Sequence, residues 1–248
     1  KSILQKLLEH GIEIAPCSSR PLSEIPQWFR EQENIHWLVT ANGGAIIDNQ
    51  SGETLCSNTM SSAKAKHLLT LSEDINPYWS CLIDGRLHSH LAILDDREAL
   101  AIDGDYLENI LKQRIWESSK DFLDAYADAQ IAKIHFITDQ EYFKTKQSLM
   151  DRFAKEEGIA ITSSHPVNVE IVHPNANKGA ALKWLMKKLD CTRAEVMACG
   201  DNANDLSMLK EAAYSVAVAN ATKEVLAAAR YHAPSYKEDG AAKMMEQL

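Results

Sequence analysis

The sequence predicts an α/β fold: a doubly wound parallel-sheet core carrying an inserted α+β domain. Short apolar runs without polar alternation, such as Val196 to Cys199, read as parallel strands covered on both faces. Strand and helix patterns alternate from Ile12 to Ile47 and again from Val196 to Arg230, as winding a sheet on both faces requires. Between those stretches the signal changes to a hairpin and mixed strands and helices. The expected division is core over residues 1–51, insertion over 52–164 and core again over 165–248.

Taken in order, Ser2 to Gly11 reads as the end of an amphipathic helix closed by a C′ glycine. Ile12, Ile14 and Ala15 form an apolar run that reads as a strand, followed by a polar turn at Ser18 and Ser19 and a helix capped by Ser23, with Pro26 in its tolerated first turn. In the insertion, Ala63 to Ser72 and Lys144 to Glu157 have helical patterns, and Trp79 to Ile83 with Leu87 to Leu94 flank Asp84-Gly85 as a hairpin. Lys133 to Thr138 and Val167 to Val172 read as further strands. His88 and His90 share a strand face and read as surface or core residues before metal ligands. Tyr78, Trp79, Trp116, Tyr126 and Tyr142 read as filling of the insertion's own core, and Asp95, Asp96, Asp103 and Asp105 as a solvated face.

The 248 residues, 45% hydrophobic, are enough for one large domain or two modest ones. A net charge of −9 without a basic run excludes nucleic acid and anionic membranes as partners. No stretch approaches the roughly 18 apolar residues of a membrane span. Five scattered cysteines without a C-x-x-C pair point to a reduced, cytoplasmic protein, expected as a monomer or weak homo-oligomer. Cys17 borders the Ser18-Ser19 turn and reads as a small buried residue.

The candidate chemistry lies in Gly200-Asp-Asn-Ala-Asn-Asp-Leu-Ser-Met208. Gly200 frees the backbone to turn where a buried strand becomes a helix, and Asp201 and Asp205 then fall beyond the carboxyl end of the strand. Two carboxylates there suit a hard divalent cation, magnesium best, although Asn and Asp are also common helix caps. Lys178 opens an amphipathic helix, where a cation opposes the helix dipole unless an anion compensates it. Hydroxyls and amides at Ser18 and Ser19, ahead of a helix, suit an anion.

Together with Cys17-Ser-Ser-Arg-Pro21, Thr40-Ala-Asn-Gly-Gly-Ala-Ile-Ile47, Val216-Ala-Val-Ala-Asn-Ala-Thr-Lys-Glu-Val225 and Glu238-Asp-Gly-Ala241, these segments resemble the haloacid dehalogenase superfamily, and within it the Cof-type sugar-phosphate phosphatases with a type IIB cap. The resemblance implies magnesium-dependent hydrolysis of a small phosphorylated metabolite through an aspartyl-phosphate. It implies Asp201 as a metal ligand, Asp205 as support of the metal site, Ser18, the Ser19 backbone and Asn204 as phosphate contacts, and Lys178 as the catalytic cation. An inactive phosphometabolite-binding protein and a phosphomutase on the same scaffold are the alternatives.

Two departures stand out. The family's Asp-x-Asp-Gly-Thr is absent, and Asp103-Gly-Asp105 reads as an acidic turn. The nucleophile is therefore expected upstream of Lys1, on a strand lying between those at Ile12 and Val196. Ser18-Ser19 also stands where the family usually has Thr-Gly, which adds a Cβ near the phosphate.

Overall fold

The computed structural model describes the chain except residues 1, 77, 103, 139–142, 164–166 and 248, and the side chains of Ser2, Tyr106 and Phe143. Asp103, Tyr142 and the expected boundary at Ser164 lie outside the described residues. Two compact units emerge: Lys1–Ser57 with Asn175–Leu248, and Asn58–Pro174.

In the first unit the helix Ser2–Glu9 stops as its sequence predicts. Gly11 takes φ 77°, its N–H bonds the Leu8 carbonyl at 3.0 Å, and the Ile12 N–H bonds the Leu7 carbonyl at 3.1 Å, the paired bonds of a Schellman motif. The strand expected at Ile12 does not form. Pro16 has no N–H to offer, and the segment meets the strand Trp37–Thr40 through one parallel bridge, Cys17 with Val39, leaving Ile12 49% exposed. Ser23 is likewise not a helix cap. It lies inside a 3-10 turn, Leu22–Glu24, and Pro26 starts a helix of only four residues, Gln27–Arg30, because the residue before a proline is pushed out of the helical region.

Trp37–Thr40, Ala45–Asp48 and Thr54–Ser57 form an antiparallel sheet. The parallel sheet is built of Met197–Gly200, Tyr214–Val218 and Tyr231–Ala233. Residues alternate along it between two clusters. Ala198 and Ala217 pack with Met208, Leu209 and Val225 from the helices Leu206–Glu211 and Lys223–Ala228. Val216 and Val218 pack with Ala241 and Met244 from the helix Gly240–Met245, so both faces are covered and the sheet is wound as predicted.

The second unit is α+β. Its main sheet has six strands, in the order Ala160–Thr162, Asn168–Val172, Lys133–Ile137, Trp79–Ile83, Arg86–His90 and Arg114–Trp116. Asp84 and Gly85, both at positive φ, make the two-residue turn of the predicted hairpin, with Ile83 opposite Arg86. Its second strand ends sooner than expected: the His90 ring accepts the Ala92 N–H at 3.2 Å, and Ala92–Asp95 turns into a helix. Trp79, Phe122, Phe136 and Phe153 are fully buried in a core under the helices Ser62–Ser72, Ser119–Ala125 and Phe143–Phe153. Trp116 and Tyr126 pack against that core, whereas Tyr78 donates its hydroxyl to Asp96 at 2.9 Å. His88 is buried, accepts Trp116 Nε1–H at 3.2 Å and is held below the ordinary imidazole range by its burial. It belongs to the core.

Strand pairing places the divisions at 57/58 and 174/175, beyond the expected 51/52 and 164/165. Thr54–Ser57 completes the antiparallel sheet of the first unit, and Asn168–Val172 pairs with Lys133–Ile137 inside the six-stranded sheet of the second.

Candidate active site

The parallel strand Met197–Gly200 ends where four loops of the first unit meet. Asp205 is the knot. One of its carboxylate oxygens accepts Lys178 Nζ at 2.6 Å, and the other accepts the N–H groups of Asp201 at 2.9 Å and Asn202 at 3.0 Å. The lysine and aspartate side chains are only 9% and 4% exposed. A Cβ on residue 200 would overlap the Asp205 side chain, so the glycine is required for this closure.

Lys178 reaches Asp205 because its helix is pinned. Asn177 Oδ1 caps Lys178–Lys188 by accepting the Ala180 N–H at 2.8 Å, and the Gly179 N–H donates to Ser207 Oγ at 3.0 Å. A Cβ on Gly179 would stand 2.6 Å from the Ser207 carbonyl, which shows how closely the two segments approach. The buried cation opposing the dipole of its own helix thus has the compensating anion that the sequence demands.

Asp201 is half-buried, and its carboxyl is raised above the ordinary range, first by burial and then by the Asp205 charge, with Lys178 working in the opposite direction. Cys17 lies within electrostatic reach of both Lys178 and Asp205, and burial pushes its thiol up to about 12, so it is an inert filler at neutral pH.

The Ser18 loop joins through its backbone. Ser18 N–H donates to the Val39 carbonyl at 2.9 Å, its carbonyl accepts the Asn42 N–H at 3.0 Å, and its Oγ accepts the Arg20 N–H at 3.2 Å. No α-helix follows directly on Ser18 and half-buried Ser19, contrary to the expectation: the next one begins only at Gln27. Asn204 Nδ2 donates to Asn42 Oδ1 at 2.9 Å.

Asn42 was no candidate in the sequence, although the Ala-Asn-Gly-Gly string carried its signal. Ala41, Asn42 and Gly43 take φ 51°, 61° and 90°, three left-handed residues in succession. Asn and Gly tolerate that region, whereas Ala there costs roughly 1–2 kcal/mol.

A magnesium ion fits this donor set. Asp201 offers a hard oxygen beside a second carboxylate, an apposition that a cation relieves, while the oxygens of Asp205 already accept three donors. Asp201 would hold the ion, Asp205 would orient the loop, and water and phosphate oxygens would complete the octahedral shell usual for magnesium. Among the described residues no group of three His, Cys, Asp or Glu side chains stands ready to chelate a metal.

The family model for haloacid dehalogenase-like hydrolases matches residues 1–245. The chain belongs to the haloacid dehalogenase-like hydrolases. It is 32% identical over 253 residues to the Escherichia coli 5-amino-6-(5-phospho-D-ribitylamino)uracil phosphatase YbjI, covering 98% of this chain and 86% of that one. A Bacillus subtilis haloacid dehalogenase-like hydrolase of solved structure aligns with a TM-score of 0.83 at 25% identity, covering 100% of this chain and 91% of that one. A solved subclass IIB sugar phosphatase shares the fold, with a TM-score of 0.80 at 19% identity over 100% of this chain and 91% of its own. The superfamily resemblance read from the sequence is therefore sound, and relatives named as phosphatases support reading this haloacid dehalogenase-like hydrolase as a phosphatase. Among its described residues no helix is long and apolar enough to cross a membrane.

Proposed function

We propose that the chain hydrolyses small phosphorylated metabolites, sugar phosphates or similar monoesters, in the cytoplasm, with magnesium and through an aspartyl-phosphate. The observation that carries the reading is the Lys178–Asp205–Asp201 cluster at the carboxyl end of a parallel strand, in hydrogen-bond sequence with the Asn204 loop. Phosphoryl transfer needs mainly fixed positive charge and positioning around the equatorial oxygens. Lys178, held by Asp205, supplies a cation that does not move when the phosphate arrives. Asn204, Ser18 and the Ser19 backbone contact the phosphate, and Asp201 holds the metal, which supplies charge neutralisation between carboxylate and phosphate.

The resemblance implies that the nucleophile stands on a strand beside Met197–Gly200. Among the described residues Met197–Gly200 is the edge strand of its sheet, the segment ending at Cys17 makes one bridge, to Val39, and Cys17 packs against two apolar clusters. A strand carrying the family's Asp-x-Asp fits between them. Its carboxylate oxygen would attack phosphorus as the alcohol departs, and water would then attack phosphorus to free orthophosphate and restore the carboxylate.

The test is phosphate release by protein expressed from its complete coding sequence, against a panel of phosphorylated sugars, nucleotides and cofactors, with magnesium and with EDTA. Magnesium-dependent release supports the proposal. Binding without turnover would make the protein a phosphometabolite sensor, and isomer formation without orthophosphate would make it a mutase.

A further inference from the structure

The turn Ala41–Gly43 touches every loop of the site. The Ala41 N–H donates to the Arg20 carbonyl at 3.0 Å and the Asn42 N–H to the Ser18 carbonyl at 3.0 Å, which ties the turn to the Ser18 loop. A Cβ on Gly43 would overlap the Asn177 carbonyl, so the turn lies directly against the residue that caps the Lys178 helix. The Asn42 side chain, on a residue 2% exposed, accepts Asn204 Nδ2 at 2.9 Å from a loop 162 positions further along the chain. Three consecutive left-handed residues persist only where tertiary contacts over-determine them, and such strain clusters at functional sites. The hydrogen bond also fixes the rotamer of Asn204: with Nδ2 committed to Asn42, the amide plane is oriented before any ligand arrives.

We propose that Asn42 is a positioning residue that orients the Asn204 amide for the substrate phosphate and holds the Ser18, Lys178 and Asp201 loops in register. This rests on the phosphatase reading above. Asn42 acts through Asn204 and is not itself a catalytic residue.

Asn42→Gly separates the side chain from the backbone, since glycine accepts the left-handed φ while the whole carboxamide, acceptor included, is removed. Four proteins made from the complete coding sequence are compared: wild type, Asn42→Gly, Asn204→Ala and the double variant. The measurements are kcat and KM for p-nitrophenyl phosphate, thermal midpoint, and orthophosphate affinity in magnesium buffer by calorimetry. The expected result for Asn42→Gly is a loss in kcat/KM of about tenfold to a hundredfold, the scale of a mispositioned contact, with the folded state retained. Orthophosphate affinity falls with it, and the double variant is no worse than Asn204→Ala alone, because both changes remove one interaction. Asn42→Gly with wild-type kcat/KM and orthophosphate affinity overturns the inference, as does additivity of the two changes. A wild type that hydrolyses no ester yet binds orthophosphate removes the phosphatase reading alone, and the affinities of the four proteins then decide the role of Asn42. A wild type that neither hydrolyses nor binds phosphate removes both.

Discussion

Asp205 accepts three hydrogen bonds on two oxygens, one of them from a buried ammonium, so its neutral isostere leaves Lys178 charged and uncompensated. Breaking a buried pair in this way costs about 3–5 kcal/mol. Asp205→Asn should therefore lower the thermal midpoint markedly, and a midpoint within a degree of wild type would show that the pair contributes little. Lys178→Ala, by contrast, should slow turnover with the magnesium requirement intact, whereas Asp201→Asn should weaken both together. Asp201 also carries a pH signature. Its carboxyl is raised in the folded state, so its ionisation disfavours folding. That contribution to stability is full below the unfolded pKa and is lost as pH rises through the folded pKa, above the ordinary carboxylate range. Magnesium should accordingly raise the melting temperature at neutral pH and do so progressively less as the pH falls through that range. Asp201→Asn should abolish the magnesium shift while raising the metal-free midpoint, and a variant that still responds fully to magnesium would remove Asp201 from the metal site. At Ala41, φ 51° favours glycine, and Ala41→Gly should stabilise the protein by up to about 1 kcal/mol once the greater freedom of glycine in the unfolded chain is subtracted.

Elements place these residues through close approach. Gly200 lets the strand Met197–Gly200 end against Asp205, and Gly179 lets the Lys178 helix lie on Ser207. In the second unit, Lys133 and Glu170 from adjacent strands form a buried pair at 2.8 Å, with side chains 9% and 2% exposed. Lys133→Met should cost about 3 kcal/mol by removing the ion pair of buried Glu170, and adding Glu170→Leu should recover most of it, because an apolar pair of similar volume removes both desolvation penalties. Chemical denaturation of the single and double variants checks this, and an equal loss in both would refute it. These elements were partly legible. The helix stop at Gly11, the hairpin at Asp84-Gly85 and the helix start at Lys178 are local, and local chemistry predicts them. Ile12 failed as a strand and Ser23 as a cap for non-local or proline reasons: a strand needs partners from elsewhere in the chain, and Pro26 delayed the helix.

For the whole molecule, the second unit encloses its own core, from Met60 through Trp79, Phe122 and Phe153 to Ile171. A core of that kind should let residues 58–174 fold when expressed alone, with a cooperative thermal transition and near-ultraviolet dichroism from Trp79 and Trp116. A broad transition without that aromatic signal would show that the unit depends on the rest of the chain. The balance of −9 acts at the same scale, since the anionic phosphate must be drawn by local positive charge against the field of the whole.

The sequence by itself determined the α/β core, the α+β insertion and the family, because apolar periodicity and the Gly200-Asp-Asn-Ala-Asn-Asp205 string are written contiguously in the chain. It also marked Lys178, Asp201, Asn204 and Asp205 as candidates. Only the tertiary structure decided that Asp205 spends its oxygens on Lys178 and the loop, that Cys17 lies within electrostatic reach of Lys178 and Asp205, and that Asn42 carries Asn204. Those outcomes depend on contacts between residues tens to more than a hundred positions apart, and on strain at Ala41 that no local propensity favours. Spatial convergence of that kind leaves no periodic trace in one dimension.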